Sequence, residues 1–185
     1  MRILIACEFS GITREAFRAK GHEAISCDFL PSEIQSDNHL QMNVRDILWM
    51  NWDMMITYPP CKYLAVSGAR WFNDPDRKQF QQEALNFVQE LLYCNIPKIC
   101  LENPVSIIST HIRKPDQIIH PWMFGIREEK TTCLWLKNLP KLIPTDILQP
   151  PYYPRVHYES PSPDRWKNRS RTLIPIAKAM ADQWG

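Results

Sequence analysis

Short apolar runs, each ending on a polar or turn-forming residue, recur along the first hundred residues and are separated by stretches of helical composition. This alternation restricts the fold more than any other feature. Residues 2–7 form the first run, Ser10-Gly11 supplies a turn, and residues 13–20 read as a helix that Gly21 ends. Residues 22–28 read as a second strand closing on a carboxylate, and residues 52–57 as a third, stopped by Pro59-Pro60. The longest helical pattern spans residues 79–93, with Phe80, Leu85, Phe87, Val88, Leu91 and Leu92 available for a buried stripe, and residues 96–101 give another strand. Strands alternating with helices predict an α/β fold, a Rossmann-like, mostly parallel sheet with helices on both faces and with its sites at the carboxyl ends of the strands. Past residue 104 the pattern weakens to a strand at 131–136, a proline-rich insertion at about 137–171 and a helix at 174–184. No repeat is visible, and residues 1–185 are expected to form one domain.

A chain of 185 residues buries roughly 70% of the surface its unfolded form exposes, so no staples are needed. Apolar residues at 44% and charged residues at 23% exclude wholesale disorder and a membrane protein. Six scattered cysteines lack the close pairs of zinc sites or secreted disulfide scaffolds, which predicts reduced thiols, no metal and a cytoplasmic setting. The first apolar run stops at Glu8, too early for a signal peptide or membrane span. A net charge of +2 makes no global case for nucleic acid, so any such partner must be argued from local patches.

Three strand ends carry candidate chemistry. After the first strand, Glu8-Phe9-Ser10-Gly11 offers a glycine that lets backbone approach a ligand, or simply a turn. Asp28, ending the second strand, is where nucleotide-binding sheets place a carboxylate for a ribose, although a solvated loop acid reads equally well. Tyr58-Pro59-Pro60-Cys61 is a stiff loop that can hold a thiol in a fixed direction, and that thiol needs a cation or helix terminus to ionise, with Lys62 and Arg70 as candidates. The other five cysteines read as small buried hydrophobes. Glu102-Asn103-Pro104 brings an acid which, if desolvated, can give a proton or hydrogen bond to a ring nitrogen, or which merely caps a turn.

The order Phe-Ser-Gly, acid, Pro-Pro-Cys, Glu-Asn resembles the cytosine-C5 DNA methyltransferase family, over residues 3–136 in outline. It is similar in particular to the short forms, lacking a full target-recognition domain, that bacteriophages and prophages encode. The resemblance implies a class I methyltransferase fold, S-adenosyl-L-methionine as cofactor, and a DNA or pyrimidine nucleotide substrate. It further implies that Phe9, Ser10, Gly11, Asp28, Phe29, Asn43 and Pro59 line the cofactor pocket. Cys61 would add to carbon 6 of the pyrimidine, Glu102 would engage N3, and Asn103, Lys130, Arg169 and Arg171 would stand on the substrate side.

The sequence departs from the family in three places. Ile12-Thr13-Arg14 follows Gly11 where further glycine is common. Glu128, Lys130 and Thr132 occupy the positions of a Gln-x-Arg-x-Arg run, so the last forked guanidinium is missing. Residues 137–171 leave no room for a recognition domain, which predicts weak autonomous site specificity and target choice supplied by an unidentified partner. Arg155, His157, Arg165, Lys167, Arg169 and Arg171, with nearby tyrosines and Trp166, make that insertion either a single-stranded nucleic-acid surface or a solvated face. Two other activities compete, a catalytically silent nucleotide or nucleic-acid binding module on the same fold and an exocyclic-amine DNA methyltransferase. The expected location is cytoplasmic, in the host if the protein is phage-encoded.

Overall fold

The computed structural model describes residues 1–72 and 74–185, apart from the side chain of His157, so that member of the basic insertion lies outside the described residues. Its elements, in chain order, are β1 (Arg2–Ala6), α1 (Ile12–Arg18), β2 (Glu23–Asp28), β3 (His39–Gln41), β4 (Met54–Thr57), α2 (Pro75–Tyr93), β5 (Lys98–Pro104), α3 (Ile108–His111), β6 (Gln117–Ile119), β7 (Thr132–Lys137), α4 (Arg155–Tyr158), α5 (Arg165–Ser170) and α6 (Ile174–Trp184). The strands form one sheet in the order β3-β2-β1-β4-β5-β7-β6. Strands β1 to β5 run parallel, and β7 runs against both of its neighbours. The order 3-2-1-4-5 is that of a doubly wound sheet, with its reversal between β1 and β4, where ligands of such sheets bind. The Rossmann-like α/β class expected from the sequence is therefore the one observed.

The central strands are buried on both faces, which is why β1 and β4 read as continuous apolar runs rather than alternating ones. Leu4, Met55, Ile99 and Leu101 pack with Leu85, Val88, Leu91 and Leu92 of α2 on one side. Ile3, Ile5, Met54, Ile56 and Cys100 pack with Phe17 of α1 and with Ile176, Met180 and Trp184 of α6 on the other. Each fully buried side chain of this size contributes about 1.5–3 kcal/mol.

The structure moves several boundaries. Helix α2 begins one turn before residue 79, because Asp74 accepts the backbone N–H of Asp76 and Pro75 fits the first helical turn. Phe80 leaves the expected stripe: it is 48% exposed, one turn inside the helix and away from the sheet. Glu102 and Asn103 lie inside β5 rather than after it. The three-residue strands β3 and β6 are too short to show periodicity, and the insertion holds the short helices α4 and α5 within its loops. Among the described residues no helix is long and apolar enough to cross a membrane.

Candidate active site

The reversed direction of β7 gathers the site. A parallel sheet presents the ends of its strands at one edge, and an antiparallel neighbour brings its beginning there instead. Pro104 at the end of β5 pairs with Thr132 at the start of β7, so the segment leading into β7, with Lys130, arrives beside Glu102. Alternation along β5 sends Cys100 toward α6, and Glu102 shares its face.

Glu102 is half-buried, and desolvation raises its carboxyl above the ordinary range while the positive charge of Lys130 opposes the rise. Cys61 stands exposed at the rim. Its thiol is pushed up by the protein around it and then by the negative charge of Glu102, and pulled down by Lys130 and Arg169. Cys61, Glu102, Lys130 and Arg169 thus share one electrostatic neighbourhood, and the Lys130 ammonium donates to the Arg169 carbonyl at 3.3 Å. Of the two cations first considered for activating the thiol, neither Lys62 nor Arg70 is among the groups that lower it.

The stiffness expected of the cysteine loop has a structural origin beyond its prolines. Asn103, buried in β5, donates from Nδ2 to the carbonyl of Pro59 at 2.9 Å. The carbonyl of Cys61 then accepts the N–H groups of Leu64 at 3.0 Å and Ala65 at 2.9 Å, which starts a tight turn at the cysteine. Asn103 and Pro59 accordingly act on the loop itself. A shallow pocket, open to solvent, lies on the α6 side, lined by Tyr58, Glu102, Lys130 and Thr132 from the sheet edge and by Leu173 and Ile176 opposite. Cys61 is outside this lining.

Around the first strand ends, Cys7 (φ 58°) and Gly11 (φ 77°) both hold left-handed backbone, which makes the turn from β1 into α1 abrupt. Glu8 is buried inside this turn. One of its carboxylate oxygens accepts the Ser10 hydroxyl at 3.0 Å and the Thr13 N–H at 2.7 Å, while the other is buried with no hydrogen-bond partner among the described residues. Burial raises its carboxyl above the ordinary range. Asp28 ends β2 half-buried, its carboxyl raised chiefly by desolvation, with one oxygen accepting the Leu30 N–H at 2.9 Å. Phe29 is 71% exposed beside it. Asn43 caps a 3-10 turn at Val44–Asp46 by accepting the Arg45 N–H. An orphaned acid oxygen, a half-satisfied carboxylate and an open aromatic ring thus stand at the ends of β1 and β2.

The insertion folds back over this region. Trp166 packs at 6.0 Å, ring centre to ring centre, on Phe9, and Arg171 makes a two-pronged ion pair with Glu33 at 2.6 and 2.7 Å. Glu33 in turn donates its N–H to the Phe9 carbonyl at 2.8 Å. Arg171 therefore clasps the loop after β2 that is bonded to Phe9, whereas the charge of Arg169 acts on the cysteine. Sequence reasoning assigned no role of their own to Glu8 or Tyr58, and set Trp166 on the insertion's surface rather than against Phe9. Tyr58 bonds Thr13 at 2.8 Å and reaches the sulfur of Met180, bridging β4 to α1 and α6. The one available signal was a phenol closing an otherwise apolar strand.

No family model matches this chain, and no curated protein does. Among solved structures it is similar to one described as a DNA modification methyltransferase encoded within a prophage of E. coli, at 16% identity and a TM-score of 0.47, over 87% of this chain and 56% of that one. It is also similar to a methyltransferase of Entamoeba histolytica, at 16% identity and a TM-score of 0.48, over 86% of this chain and 60% of that one. The chain spans little more than half the length of either.

Proposed function

We propose that the protein is an S-adenosyl-L-methionine-dependent methyltransferase acting on carbon 5 of cytosine in DNA, single-stranded DNA included, or in a nucleotide. The observation that carries this reading is the electrostatic coupling of Cys61 to Glu102, the first just beyond β4 and the second near the end of β5 in the wall of the pocket on the α6 side. Carbon 5 of cytosine is a poor nucleophile until a thiolate adds at carbon 6. In this reading the Cys61 sulfur forms the bond to carbon 6 while Glu102 delivers a proton to N3, so the ring becomes an enamine. The methyl donor, when bound, supplies an electrophilic methyl group, and Glu8, Asp28 and Phe29 would hold it. Loss of the carbon 5 proton to a base then re-forms the C5–C6 double bond and expels the Cys61 thiolate, and N3 returns its proton to Glu102.

The two groups assist each other electrostatically. Glu102 as an anion raises the Cys61 thiol, and its protonated form does not, which leaves Lys130 and Arg169 to favour the thiolate. Burial, by keeping Glu102 protonated to higher pH, both arms the ring nitrogen and eases ionisation of the sulfur.

The test is incubation with labelled donor and DNA containing 5-fluorocytosine, which cannot lose its substituent at carbon 5 and traps the adduct. A covalent complex is expected with the natural chain and none with Cys61→Ala, while donor binding by calorimetry is retained in both. Donor binding without adduct on single- or double-stranded DNA would replace this reading with a binding module on the same fold.

A further inference from the structure

We infer that the face carrying Lys62, Tyr63, Arg70, Trp71, Arg77 and Phe80 is a docking track for single-stranded nucleic acid leading to Cys61. The inference rests on the substrate class proposed above and adds where the strand lies and in what form. The face is built from the turn after Cys61 and the first turns of α2. Tyr63 and Phe80 stack at 5.4 Å with ring planes 19° apart. Arg77 lies over both Tyr63, at 5.3 Å, and Trp71, at 5.8 Å, Arg70 covers Trp71 at 5.1 Å, and Lys62 covers Tyr63 at 5.1 Å. A shallow groove lined by Lys62, Tyr63, Trp71 and Arg77 runs between them. Phe80 and Trp71 are each 48% exposed, although each belongs to a turn or helix that could have buried it.

The state of the charges distinguishes this face from the insertion. Arg155 pairs with Glu128 and Glu159, Lys167 with Asp164, and Arg171 with Glu33, so phosphates binding at these three cations would have to displace carboxylates. Among the described residues Lys62, Arg70 and Arg77 pair with no carboxylate, and the only acids between residues 62 and 80 are Asp74 and Asp76, the first engaged in capping α2. A guanidinium lying flat on a ring keeps its N–H edge free for a phosphate. A solvent-exposed ring from which its cation turns toward a phosphate stacks on a base only where that base is unstacked from its neighbours, as in a single strand. Unpaired cations interleaved with exposed rings therefore match a flexible polyanion carrying flat bases. An acidic protein surface would use the cations and leave the rings in water.

The test uses the full chain and a fluorescent oligodeoxythymidine, which contains no target base, so binding is read independently of methyl transfer. Anisotropy titrations are expected to show that Arg70→Gln/Arg77→Gln and Trp71→Ala each weaken binding about tenfold or more. The double arginine variant should also flatten the dependence of log affinity on log salt by about 1.4, or 0.7 per lost contact. Arg155→Gln/Lys167→Gln should leave affinity within about twofold. Should Trp71→Ala fail to fold by circular dichroism, Phe80→Ser and the arginine pair carry the test. Unchanged affinity in the double arginine variant, equally tight binding of a duplex, or equally tight binding of a base-free phosphodiester chain overturns the inference. Oligothymidine binding through this face without a 5-fluorocytosine adduct would sink the proposed reaction and leave the track standing, and the reverse pair of results would do the opposite.

Discussion

The side-chain amide of Asn103 reaches 2.9 Å across to the carbonyl of Pro59, tying the loop that carries Cys61 to the strand that carries Glu102. The bond is buried, so its loss leaves a carbonyl without a partner. Asn103→Leu is expected to cost about 1 kcal/mol of stability in urea unfolding. It should also speed alkylation of Cys61 by iodoacetamide, because the loop gains freedom. Unchanged unfolding and unchanged labelling would show that the prolines alone fix the loop.

Glu102 offers a pH signature. Its folded pKa is raised above the unfolded value near 4.5, so its contribution to stability is fully present below that value and lost as pH rises through the folded pKa. Glu102→Gln removes the ionisable group, and unfolding midpoints of this variant should exceed those of the natural chain at pH 7, with the gap closing toward pH 4. Activity should disappear in the same variant. Parallel stability profiles for the two proteins across this range would show that the carboxyl ionises freely.

The thiol should respond to its neighbours in opposite senses. Glu102 raises Cys61 and Lys130 lowers it. The pH midpoint for alkylation of Cys61 is therefore expected to move down in Glu102→Gln and up in Lys130→Met. Movement of both in one direction would mean that shape rather than charge governs the sulfur.

The clasp between Arg171 and Glu33 is about two-thirds shielded from solvent on each side, so screening limits it to roughly 0.5–1 kcal/mol. Glu33 is held below its ordinary value by the Arg171 hydrogen bond, so this stability is present above pH 4.5 and lost as pH falls through the folded pKa. Arg171→Gln should lower the thermal midpoint at neutral pH, and the deficit should vanish in acid and shrink in molar salt. A deficit that persists in both would point to packing.

Gly11 holds φ 77°, and a Cβ there would stand 2.7 Å from a terminal nitrogen of Arg14 and 3.0 Å from the Cβ of Ile34. Arg14 cannot swing away freely, because its guanidinium is fully buried and bonded to Ser26, Ser32 and the Ile34 carbonyl. Gly11→Ala is expected to destabilise the chain by about 2–4 kcal/mol, combining left-handed strain with the contact, and to weaken donor binding, read by urea unfolding and calorimetry. A loss under about 0.5 kcal/mol would show that the turn relaxes.

The alternation of strand and helix was legible because β1, β4 and β5 are buried on both faces and leave unbroken apolar runs. The end helix was read to the residue, since Pro175 starts it and its buried positions repeat at helical spacing. Strands β3 and β6 were not legible, for three residues held by a neighbour carry no periodic signal. Cys61, Glu102 and Lys130 were expected together only through the family resemblance, and nothing in the sequence says that β7 runs backwards. The fate of the basic insertion was hidden for a different reason. Its acids, Glu128, Glu159 and Glu33, are scattered in sequence and meet their arginines only after folding. Phe80 satisfied the helical stripe on paper, and only the observed packing of α2 shows it turned to solvent.

The wall opposite Glu102 comes from α6, while the sheet edge it covers is complete some forty residues earlier in the chain, at β7. A chain emerging from the ribosome therefore exposes Glu102 before α6 closes the wall opposite it. During that interval the apolar side of Tyr58 and the strands beneath it lie open to chaperones. The pocket beside Glu102 is complete only once α6 docks on the sheet.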